Sequence, residues 1–249
     1  MSELFGPGDG ASQSVDWSSL CPYCDGELPE HPSTVLKELR TAVDARSQLH
    51  PNSGLSLNPL HRRTTPVTVS LSYCERHDFE TTTLRVAEKS HWPADIDFNS
   101  LPRRLVEHCA SFEELIEDPS SSDFYLDVLR SLERFSSGIA GDLASFEKTG
   151  TGYYGYAGKA VILWSLTEML DLDIIDSIHS IPTPVFLERV LIPEAAVLLI
   201  QEDLGLTREQ ALATKEKSLS YGSILFPEDD TINPRDVRRI VRNLQVADF

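Results

Sequence analysis

No stretch of this chain is apolar for long. The longest runs, such as AVLLI at 196–200, fall far short of the ~20 residues needed to cross a bilayer, so no membrane partner is expected. The first residues, MSELFGPGDG, lack a basic start followed by an apolar run, so no secretory signal is expected. Basic residues are also scarce: 22 Lys and Arg stand against 39 Asp and Glu, a net charge of −17. That body repels a phosphate backbone across most of its surface, which disfavours direct nucleic-acid binding by the folded part. Cysteines number four, too few for a disulfide scaffold in a chain of this size. In a reducing compartment a close cysteine pair more often holds metal or does redox work.

The remaining absences concern catalysis. No G-x-S-x-G, H-E-x-x-H or paired-carboxylate arrangement stands out, and no repeat is visible. TGTGYYGYAGKAV at 149–161 contains a formal G-x-G-x-x-G in Gly150, Gly152 and Gly155, but the segment before it, SGIAGDLASFEK, reads helical where a dinucleotide loop needs a strand. Ala160 also stands where a phosphate-binding Walker loop needs Ser or Thr. An architectural turn that packs Tyr153, Tyr154 and Tyr156 is expected instead. His108 and Cys109 are adjacent, which does not by itself align a base with a nucleophile. Asp95 and Asp97 read as capping or solvated residues. The leading reading is therefore non-enzymatic. The alternative is an enzyme of unknown chemistry, with a pocket near the Gly/Tyr-rich turn or around His108 and Cys109.

What is present reads mainly α, as a compact multi-helix domain. Residues 1–18 are expected to be a disordered tail, 19–232 the domain, and 233–249 a basic amphipathic helix. Leu36, Leu39 and Val43 recur at helical spacing after Ser33, predicting a helix to about Gln48. Residues 50–65 read as loop. Residues 66–80 alternate like a strand, yet Pro66 suits a helix start, and a helix is preferred there. Further helices are expected over 123–135 and 155–172, from Pro184, from Pro193 to a cap at Gly205, and from Thr207, whose Gln210 completes a capping box. In the terminal segment Val237, Ile240, Val241 and Leu244 form one apolar stripe beside Arg235, Arg238, Arg239 and Arg242, a helix expected to dock on the domain.

One pattern carries chemistry. CPYC places Cys21 and Cys24 in a turn, and Cys74 and His77 follow after a gap of 49 residues as C-x2-H. On a helix Cys74 and His77 share a face, so two thiolates from the turn and this pair can close the four-coordinate shell of a structural Zn²⁺. A redox CxxC and two unrelated buried cysteines are the competing readings, and His91 or Cys109 could replace His77.

CPYC with ELP and PS, then YCERHDFE, HWPADIDF and LPRR, resembles the fungal domain named after restriction of telomere capping protein four. FEKTGTGYYGYAG, VLIPEAAVLLIQEDLG and SLSYGSILFP continue the resemblance, from about Cys21 to Pro227. It implies a tie to telomere capping and placement in nucleus and cytoplasm; the non-enzymatic reading adds an expected protein partner. The resemblance implies no catalytic residue, and Cys21, Cys24, Cys74 and His77 are the matched positions able to form a site.

Overall fold

The computed structural model describes residues 17–49, 63–136, 149–178 and 181–247. Most of the expected tail, most of the 50–65 loop and the helical reading of 137–148 lie outside the described residues. Chain contacts divide the protein into two compact units, Met1–Val86 and Ala87–Phe249. The fold is mainly α; among the described residues the paired strands form only a two-residue ribbon, β1 (Gln48–Leu49) with β2 (Arg63–Thr64).

The first unit is built on two helices. α1 (Thr34–Asp44) begins at Ser33, whose Oγ accepts the Leu36 amide at 3.1 Å. It stops short of the expected Gln48. Arg63 donates to the Asp44 carbonyl at 2.9 Å, so the chain turns into the ribbon. α2 (Val67–Asp78) settles the ambiguous segment as helix. Strand-like alternation there lost to burial: Ser70, Tyr73 and His77 fall on one helical face. A single π turn, Phe79–Thr83, joins α2 to α3 (Leu84–Ser90). Its threonines explain the widening, since Thr81 and Thr82 donate back to the carbonyls of His77 (2.7 Å) and Asp78 (2.6 Å). The core of this unit is small: Cys21, Leu36, Val43 and Tyr73, with Tyr23, Leu28, Leu39, Val69 and Cys74 half-buried around them.

The second unit has the larger core. It comprises α4 (Leu101–Glu107), α5 (Cys109–Glu117), α6 (Asp123–Ser136), α7 (Gly155–Met169), α8 (Leu172–Ile178), α9 (Thr183–Phe186), α10 (Ile192–Leu204), α11 (Arg208–Lys217), α12 (Leu219–Leu225) and α13 (Pro234–Ala247). α10 is apolar on nearly every side, and Ile192 through Val197 are all buried, as a helix hydrophobic all round should be. Pro193 does not break the chain from α9. It lacks an N–H for an α-helical bond, and the π turn Leu187–Leu191 just before it absorbs the mismatch. α10 ends at Gly205 with φ of 62°, and α11 begins with the expected Thr207–Gln210 capping box. The expected single helix after Thr207 is two, parted at Ser218, where α11 meets the glycine-rich turn. α13 docks on α7 and α4, burying Val237 and Val241.

Candidate metal centre

The turn that opens the chain's chemistry is held by its backbone. Leu20 bridges Glu27, the Cys21 amide donates to the Gly26 carbonyl at 2.7 Å, and the Asp25 amide donates to the Cys21 carbonyl at 3.0 Å. Asp25 sits at φ of 59°, which an Asp tolerates better than most residues. The Arg63 amide donates to the Pro22 carbonyl at 3.0 Å, tying β2 to the same turn. Tyr23 reaches away to Asp44 and Ser47, so the turn is anchored to the end of α1.

Against this turn α2 presents Cys74 and His77 from successive helical turns. The ligand atoms of Cys21, Cys24, Cys74 and His77 all lie within 4.8 Å of one another and could hold a metal ion. Two sulfurs ~2.3 Å from a tetrahedral zinc are ~3.8 Å apart. Cys21 Sγ and Cys74 Sγ are 3.9 Å apart, which matches. Cys24 Sγ and His77 Nε2, at 3.1 Å, are at hydrogen-bond spacing and would open by ~0.4 Å around such an ion. The group takes in neither His91 nor Cys109.

The surroundings fit an ion in this space. A Cβ at Gly26 would lie 3.0 Å from His77 Cε1 and 3.5 Å from Cys24 Sγ, so a side chain there would press the imidazole away from the sulfurs. Nε2 of His77 faces Cys24. Nδ1 is buried with no hydrogen-bond partner among the described residues, so the ring is positioned by packing, including the Tyr73 ring at 5.6 Å. The thiols cannot all ionise together without a cation. The hydrogen bond from Cys74 pulls Cys21 down to about 4, against the opposing effect of burial. Donating that bond, with burial added, holds the Cys74 thiol far above its ordinary value. Cys24 is raised, chiefly by burial. One sulfur thus carries the charge and its neighbours keep their protons; a divalent cation would take the place of those protons.

The other sequence candidates are accounted for by structure. Gly152 and Gly155 have φ of 63° and 62°, and the backbone of α12 crosses them at Gly222. The first free amides of α7, Tyr156 and Ala157, both donate to the Phe226 carbonyl at 2.9 and 3.3 Å, and Lys159 pairs with Glu188 at 2.9 Å. Neither the amides nor the lysine is left for a phosphate. A cavity of about 460 Å³ lies beside the turn, bordered by Tyr156, Lys159, Glu216 and Ser220, with no His or Cys among its lining residues. His108 pairs with Glu202, while Cys109 faces Glu113 at 3.7 Å and its thiol is raised by burial and by that carboxylate. Base and nucleophile therefore point to different partners. Asp97 caps the Asn99 amide at 3.0 Å.

Sequence reasoning missed the buried polar knots of the second unit. Tyr153 and Tyr154, both fully buried, donate to one carboxylate oxygen of Asp203, and Arg104 donates to its other oxygen at 2.8 Å. Buried Glu194 takes a bidentate pair from Arg208, 2.7 Å for each bond, and the Ser122 hydroxyl at 2.7 Å. An acid inside the apolar run IPEAAVLLI was the available signal for Glu194; Asp203, at a polar helix end, gave none.

Residues 117–227 match the family model of the RTC4-like domain, the family the motifs resemble. No curated protein matches, and no solved structure matches. The match begins beyond His77, so the four-residue group stands on its own geometry.

Proposed function

We propose that this chain, carrying an RTC4-like domain at 117–227, is a non-enzymatic protein-interaction or regulatory module whose first unit is stapled by a structural Zn²⁺. The observation that supports it most is the closed set of four donors. Cys21, Cys24, Cys74 and His77 would fill the four positions of a tetrahedral ion and leave none for a substrate or an activated water. The ion would join the turn at 21–24 to α2, where the apolar core is too small to fix them alone. Family resemblance supports a link to telomere capping and residence in nucleus and cytoplasm, and the module reading adds a protein partner.

Elemental analysis of the purified chain tests the metal: one zinc per chain is expected. Cys74→Ser should lose it, and the first unit should become protease-sensitive between Ser33 and Val86. A fully folded, metal-free chain overturns the staple. Purification of tagged chain from nuclear and cytoplasmic extracts tests the role. A stable partner that binds the wild type and not Cys74→Ser is expected, whereas turnover of a small molecule by the purified chain counts against a non-enzymatic module.

A further inference from the structure

The four-donor group is buried unevenly. Cys21 is 0% exposed and His77 3%, while Cys24 is the most exposed residue of the four. Gly26, beside it, has no side chain to cover that sulfur. Metal-bound cysteines are held as thiolates, the nucleophilic form. Cys109, the remaining cysteine, is kept as the thiol by burial and by Glu113.

We propose that Cys24 is a modification site for peroxides, through which oxidation releases the metal and unclasps the first unit; this rests on the metal reading above. The Cys24 thiolate attacks one oxygen of hydrogen peroxide. The O–O bond breaks, leaving Cys24 as a sulfenic acid and freeing hydroxide, which solvent protonates. The Cys21 thiolate then attacks the Cys24 sulfur. The S–S bond forms, the S–O bond breaks, and a second hydroxide leaves. The two sulfurs lose two electrons, the peroxide gains them, and two protons complete two waters. Zn²⁺ keeps only Cys74 and His77 and departs to solvent.

Cys21 is the resolving partner because of where it sits. It shares a four-residue turn with Cys24, and the turn's own bonds, Asp25 to Cys21 and Cys21 to Gly26, hold the pair together whether or not metal is bound. Cys74 belongs to α2, a separate element that meets the turn's sulfurs through the Cys21–Cys74 and Cys24–His77 contacts. As the ion leaves, Cys21 stays beside Cys24. The oxidised turn then no longer holds α2 through its sulfurs, leaving the small core and the bonds from Arg40 to Tyr73 and from Thr81 to the Glu27 carbonyl.

The test uses the full chain with Cys109→Ser, leaving three cysteines. Zinc is measured first, then peroxide is added and metal release is followed with a chromogenic chelator. Complete release is expected, with a mass loss of about 2 Da and a Cys21–Cys24 disulfide by peptide mapping, reversed by a thiol reductant with added zinc. In the same background Cys24→His keeps four donors without the exposed sulfur and should release metal at least about tenfold more slowly. Absence of zinc before treatment defeats the metal reading and this inference with it. Zinc that is present but retained under peroxide, equal release from Cys24→His, or a disulfide containing Cys74 overturns this inference alone.

Discussion

Gly155→Ala is expected to destabilise the second unit far more than Gly205→Ala, although both glycines have φ of 62°. Gly205, with ψ of 34°, sits in the left-handed helical region and an added Cβ meets nothing within 4 Å. Its substitution should cost about 1 kcal/mol, the intrinsic penalty for that conformation. Gly155 has ψ of −159°, a combination essentially confined to glycine, costing ~1–3 kcal/mol for any other residue. Its added Cβ would also overlap the carbonyl oxygens of Gly222 and Phe226 and lie 2.8 Å from the Gly222 carbonyl carbon. These are backbone atoms of α12 and its end, and they cannot rotate aside. The overlap adds ~1–3 kcal/mol, for a total of about 4 kcal/mol. At roughly 2–4 °C per kcal/mol, the melting temperature should fall by about 10 °C for Gly155→Ala and about 3 °C for Gly205→Ala. Thermal unfolding followed by circular dichroism reads both. Equal shifts would refute the close-approach argument, and calorimetric binding of ATP or NAD that Gly155→Ala abolishes would refute the architectural role of the turn.

Asp203→Leu should strand the Tyr153 and Tyr154 hydroxyls and take one partner from Arg104, which keeps Glu202, costing ~2–4 kcal/mol by denaturant titration, against ~1 kcal/mol for Tyr153→Phe; similar values for the two would refute the shared acceptor. Lys215 is fully buried, donates to the Gly150 carbonyl at 3.1 Å, and is pushed by desolvation from 10.5 to about 8. The unfolded chain therefore binds more protons between pH 8 and 10.5, and stability should rise with pH across that window. Denaturation midpoints at pH 8 and 10 should show a gain of roughly 2–3 kcal/mol that Lys215→Met lacks, and parallel profiles would refute it. Val241, 0% exposed under α13, should cost about 2 kcal/mol as alanine, whereas Arg242→Ala, which removes an exposed pair with Glu168, should leave the melting temperature unchanged; the reverse order would refute docking through the apolar stripe.

The sequence by itself determined most of the helical elements and the candidate metal-binding group. Apolar spacing marked α1, α6 and α13, Pro193 with Gly205 bounded α10, and Thr207 with Gln210 marked a helix start, because periodicity and caps are local properties of the chain. CPYC and YCERH were likewise legible, since two donors within four residues can share a face before anything else folds. Only tertiary structure decided which of two local conformations residues 67–78 adopt, because burial of Tyr73 and His77 outweighs the weak strand preference of their neighbours. Tertiary structure also stopped α1 at Asp44, whose carbonyl accepts from Arg63, 19 positions further along the chain. It alone explained the glycines, since Gly155 is required by Gly222, 67 positions further along the chain. And it alone set the unequal exposure of the four donors, because burial of a side chain depends on what packs over it, not on its spacing.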